Sequence, residues 1–146
     1  MADKLAKGGL ALIVLEGSYE RVHYALAMAA SAAAIGRKVT LFFTNHGLQA
    51  LVATREGLPG WHRLRGDAEG RSAQKQDQAR IAAKVGGFDE LLAACVELGA
   101  RLMACEMGLR NARLSVEDLR PDLPIEVTGL VTLYADLPAD SRLVVI

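Results

Sequence analysis

The amino-acid sequence predicts an α/β protein: a mainly parallel sheet of about five strands, helices on both faces, one domain over residues 1–146. Three observations predict it. Short apolar, β-branched runs alternate with helical patterns along the chain. Glycine, serine or asparagine punctuates most of the junctions. Aromatic residues are only 5% of the chain and alanine fills the bulk, which suits helices packed closely on a sheet.

The elements follow in order. Gly9 to Leu15 is apolar on both faces, as a central parallel strand is, and ends in Glu16-Gly17-Ser18. Ser18 caps a helix over Tyr19 to Ile35, and Gly36 suits the left-handed position after it. Val39 to Phe43 is the second strand, followed by a short helix over Gly47 to Thr54 with Asn45 as its cap. Glycines and Pro59 break all periodicity from Arg55 onward, so Arg55 to Arg80 reads as a long irregular connection, with helix resuming over Ala73 to Val85. Gly86-Gly87 stops that helix. Phe88 to Leu98 is amphipathic, with Leu91, Leu92, Cys95, Val96 and Leu98 on one side. Arg101 to Ala104 is the third strand, then helix over Glu106 to Ala112 and a Ser115-capped turn. A fourth strand is expected over Glu126 to Gly129, then a helical turn, and a fifth over Arg142 to Ile146.

Charge and composition exclude several classes. Lys plus Arg equals Asp plus Glu at 17 each, so no basic excess points to nucleic acid. No apolar run is long enough to span a bilayer, and Met1-Ala2-Asp3-Lys4 opens no signal sequence. Two cysteines are too few for a disulfide framework, and a reduced, cytoplasmic protein is expected. His23, His46 and His62 lack zinc-ligand spacing, and neither a P-loop, a dinucleotide fingerprint, a G-x-S-x-G elbow nor a Cys-x-x-Cys pair is present. No metal and no cofactor is expected.

What remains is a single well-placed thiol. Cys105 falls where the third strand runs into a helix, so a thiolate there would meet free N–H groups at the positive end of a dipole. Cys95, mid-helix among leucines, reads as a buried small hydrophobe. No bridge between the two is expected, given their separation along the strand. Ligands of open α/β sheets collect at the carboxyl ends of strands. If Glu16-Gly17-Ser18, Thr44-Asn45-His46 and Cys105-Glu106 are neighbours, one crevice holds Cys105, His46, Asn45, Glu106 and the Ser18 N–H region. His46 would exchange a proton there, and Arg110 and Arg113 would raise the positive potential.

Four segments resemble the DsrE/DsrF-like family of small sulfur-relay proteins, to which TusD also belongs. They are ELGARLMACEMG (Glu97 to Gly108), KVTLFFTNHGLQAL (Lys38 to Leu51), GLPGWHRL (Gly57 to Leu64) and the ending from Glu126 to Ile146. The resemblance implies a flavodoxin-like fold and homo-oligomers, trimers or hexamers. It also implies sulfur transfer through a persulfide on Cys105, with donor and acceptor proteins as partners. Asn45-His46, Gly108, Arg110, Asn111 and Arg113 depart from the bulkier, more apolar residues of relatives, so a more polar pocket is expected. Two functions are therefore expected to compete: a persulfide carrier acting through Cys105, and a non-catalytic oligomeric protein that binds a small anion or a partner peptide.

Overall fold

The computed structural model describes residues 8–146, so the reading of Met1 to Lys4 lies outside the described residues. Five strands form one sheet: β1 (Gly9–Val14), β2 (Lys38–Phe43), β3 (Arg101–Cys105), β4 (Ile125–Thr128) and β5 (Arg142–Val145). The spatial order is β4-β3-β2-β1-β5, and all four pairings are parallel. The helices are α1 (Tyr19–Ala34), α2 (Ala73–Ala82), α3 (Phe88–Glu97), α4 (Glu106–Asn111) and α5 (Leu130–Asp136). This is the flavodoxin-like α/β arrangement.

The two faces of the sheet are filled differently. On one, Leu12, Leu41, Leu102 and Ala104 pack with Val22, Leu26 and Ala29 of α1 and with Leu92 and Cys95 of α3. Small alanines along α1 let it lie close to the strands and to α3. On the other face, Ala11, Phe42, Met103 and Cys105 meet Leu133 of α5 and form a separate, small cluster. Strand alternation sends Met103 and Cys105 to this face and Leu102 and Ala104 to the other.

Most predicted ends hold. The Ser18 hydroxyl accepts from the Arg21 N–H at 3.3 Å. Gly36 has φ +87° directly after α1. At the turn after Ser115 the Asp118 carboxylate accepts from the Ser115 N–H at 2.8 Å and from its hydroxyl at 3.3 Å. Four readings need correction. The segment after β2 is a 3₁₀ helix over Asn45–Leu51 whose cap is Thr44, not Asn45. Leu98 is exposed, and the buried side of α3 is Phe88, Leu92 and Cys95. The helix expected to reach Val85 ends at Ala82.

The fourth correction concerns the 55–80 connection, which is built, not irregular. Gly60–Arg63 is a 3₁₀ turn, and Ser72 caps α2. Arg65 donates its N–H to Gly17 O at 2.7 Å and accepts from the Tyr19 N–H at 3.0 Å, which pins the connection to the carboxyl edge of the sheet. Trp61 is buried against Phe88 with ring centroids 4.8 Å apart, so it extends the core. Beside it, the Tyr19 hydroxyl donates to the buried Asp77 carboxylate at 2.5 Å, and the Phe88 N–H donates to the same oxygen at 2.7 Å. One carboxylate thereby ties α1, α2 and α3 together. Burial first, then Asp77, holds the Tyr19 phenol far above its ordinary range. His23 is buried too, its Nε2 2.9 Å from Gly86 O.

Candidate functional site

Cys105 ends β3 and is the N-cap residue of α4, in extended conformation, as the sequence predicts. Its side chain makes no capping hydrogen bond. The thiol points instead to the thin face of the sheet, beside Met103, Phe42 and Leu133. Cys105 is 2% exposed, and it lines a cavity of about 440 Å³ with Glu106, Met107 and Arg110 of α4 and Thr128, Gly129 and Leu130 from the β4–α5 junction. Register explains the second wall, because Cys105 pairs with Thr128 on β4. Sequence reasoning missed Thr128 and Gly129. The signal was there in the glycine that closes the fourth strand, but only the strand order makes β4 the neighbour of β3.

Cys95 is the contrasting thiol. It is fully buried, its Sγ donates to Leu26 O at 3.4 Å, and burial pushes its pKa up to about 11. Both cysteines are free.

The structure divides the predicted crevice into three. Glu106 and Arg110 stay with Cys105. Asn45 and His46 line a different cavity of about 460 Å³, with Gly17, Gln49, Arg63, Arg65, Asn111 and Arg113. Ser18 caps α1 and lines a third, open groove with Arg65 and Asp67. The divider is α4: its Met107 and Arg110 face the Cys105 cavity, and its Asn111 faces that of His46. A glycine sets the divider close. A Cβ on Gly108 would fall 2.3 Å from Thr44 Oγ1, so only glycine lets α4 pack on the 3₁₀ helix. His46 therefore does not share a cavity with Cys105, and Arg113 serves the second cavity. Among the described residues no cluster of His, Cys, Asp and Glu suits a metal, and no helix is long and apolar enough to cross a membrane.

Fold and site together define an open parallel α/β protein with one thiol at a strand end that lines a cavity. The model of the DsrE/DsrF/DrsH-like family matches residues 6–57, so over just over a third of its length the chain is DsrE-like in sequence. Proteins of that family generally act in sulfur relay. The matched stretch contains Ser18, Asn45 and His46 but ends well before Cys105. No curated protein matches the sequence. Two of the solved structures that share the fold show the likeness. One is a protein of unknown function, MTH1491, from Methanobacterium thermoautotrophicum, at 12% identity and TM-score 0.62, covering 96% of this chain and 100% of that one. The other is the ychN protein from E. coli, at 14% identity and TM-score 0.55, covering 94% and 99%.

Proposed function

We propose that the protein is a sulfur carrier that holds a persulfide on Cys105 and relays it between partner proteins in the cytoplasm. The observation that carries this reading is the contrast between the chain's two thiols: Cys105 lines a cavity, and Cys95 lies in the core. The Cys105 thiolate attacks the outer sulfur of a donor persulfide. The donor S–S bond breaks as the new S–S bond forms, and the donor leaves as a thiolate. An acceptor thiolate repeats the exchange and returns Cys105 to its starting state. No net oxidation occurs.

The cavity wall supports a macromolecular donor. It carries one cation, Arg110, and one carboxylate, Glu106, beside apolar Met107, Leu130 and Val131. Opposed charges give little net pull on a small free anion, and exposed apolar side chains suit a protein surface. The reading includes a homo-oligomer, with a second copy of the chain on the thin face. Leu143 and Val145 of β5 and Tyr134 of α5 are exposed there, outside the lining of the Cys105 cavity.

Incubation with a protein persulfide donor is expected to add the mass of one sulfur atom to Cys105 and none to Cys95, read by mass spectrometry of peptides. Loading that persists in Cys105→Ser would sink the proposal. Light scattering is expected to give a mass above one chain for the wild type and a smaller mass for Leu143→Asp with Val145→Lys. A monomeric wild type would remove the oligomer from the reading and leave the loading result standing.

A further inference from the structure

We propose that the cavity of Asn45 and His46 is a second binding site, separate from Cys105, and that it takes a phosphate monoester of a hydroxyl-rich small molecule. Its charge is one-sided. Arg63, Arg65 and Arg113 line it, and no carboxylate does. Arg65 is paired with Glu16 at 3.2 Å, which cancels one charge. Arg63 and Arg113 make no ion pair among the described residues. Two uncompensated guanidinium groups match the two charges of a phosphate monoester near neutral pH, and their forked donors match its tetrahedral oxygens.

Three amides, Asn45, Gln49 and Asn111, line the rest of the cavity beside Gly17, Ala112 and Leu114. Asn111 Nδ2 donates to Asn45 Oδ1 at 3.0 Å, which leaves the Asn45 amide hydrogens and the Asn111 oxygen to a ligand. Gln49 spends a hydrogen on Gly60 O at 2.7 Å and keeps its own oxygen as an acceptor. Donors and acceptors side by side suit hydroxyl groups. A volume of about 460 Å³ lies within the range of small-molecule sites and leaves room beyond a lone oxyanion.

The backbone points the same way. Asn45 and Arg113 both stand in the left-handed region, at φ +48° and +57°. Arg113 follows the Ala112 cap, where α4 ends in the left-handed conformation that glycine holds at lower cost, so the end of α4 sets Arg113 in the cavity wall. The wall is also held in place: Arg65 is bonded through its backbone to Gly17 and Tyr19, so Arg63 and Arg65 are fixed over the ends of β1 and β2.

Isothermal titration of the full chain with glucose 6-phosphate, glycerol 3-phosphate, glucose and inorganic phosphate tests the site without any sulfur donor. At least one of the two phosphate esters is expected to bind, glucose to give no heat, and inorganic phosphate to bind at least tenfold more weakly than the better ester. Arg113→Gly is expected to weaken that ester at least tenfold with an equal or higher Tm, because it removes both the charge and the strained backbone. Arg63→Ala is expected to give the same loss. No binding by either ester, or undiminished binding in both variants, overturns the site. Equal binding of inorganic phosphate overturns the hydroxyl-rich part of the assignment.

Discussion

The two faces of the sheet differ in how they are held. The face under α1 and α3 has a continuous core and a buried polar clasp, Tyr19–Asp77–Phe88. The face under α5 has five buried residues, one seven-residue helix and exposed apolar side chains around it. Cys95 belongs to the first and Cys105 to the second. The difference teaches where chemistry is affordable in this fold. A thiol under two long helices is desolvated and kept protonated, whereas one under a short helix at a strand end keeps a cavity beside it.

The sharpest way to break this comparison is to damage each face once. Asp77→Ala leaves the Tyr19 hydroxyl and the Phe88 N–H unpaired in the core, so a loss of about 4 kcal/mol is expected. Leu133→Ala removes the only buried side chain of α5 and is expected to cost about 2 kcal/mol, the low end for such truncations, because a thin layer collapses easily. Urea unfolding of both variants measures the order. A larger loss for Leu133→Ala would reverse the assignment of the main core.

Alkali sharpens the same contrast. Cys95 has its folded pKa raised to about 11, above that of an unfolded thiol. Below the unfolded value both states hold the proton, and the full contribution to stability is present. As pH rises through about 9 the unfolded chain loses its proton first, and stability falls by roughly 1.4 kcal/mol per pH unit until about 11. Tyr19, raised by burial, adds to the fall above its unfolded value near 10. Denaturant midpoints between pH 8 and 11 are expected to drop in the wild type, and less steeply in Cys95→Ala. Equal slopes would mean that Cys95 is not buried as a neutral thiol.

Much of this contrast was legible in the sequence. Apolar runs alternating with helical patterns and bounded by glycine predict the sheet, and the leucines around Cys95 predict its burial. The division of the crevice was not legible, because it depends on α4 packing against the 3₁₀ helix through Gly108, a contact far apart in sequence. Arg63 and Arg65 were hidden for a similar reason. They sit in a connection that reads as irregular, and only its backbone bonds to Gly17 and Tyr19 bring them to the strand ends. The extent of α3's buried side was misread because Leu98 lies one residue beyond the helix, where the 3.6-residue period no longer governs.

The smallest expected effect concerns how the thin face is closed. Arg101, at the start of β3, donates to Glu126 of β4 at 2.8 and 2.9 Å and to Asp136 at the end of α5 at 3.1 Å. These groups are partly exposed, so the pairs are screened and weak. Asp136→Ala cuts the tie from the sheet to α5 and leaves the fork to Glu126. A stability loss below about 1 kcal/mol is expected, within the range of surface pairs. The local effect should exceed the global one: amide exchange is expected to speed up across α5 and stay unchanged in α1 and α3. Because Leu130 of α5 lines the Cys105 cavity, loosening α5 should also quicken alkylation of Cys105 and leave Cys95 protected. Exchange that rises equally on both faces would show that α5 unfolds only with the whole domain, and the two faces would then be one cooperative unit.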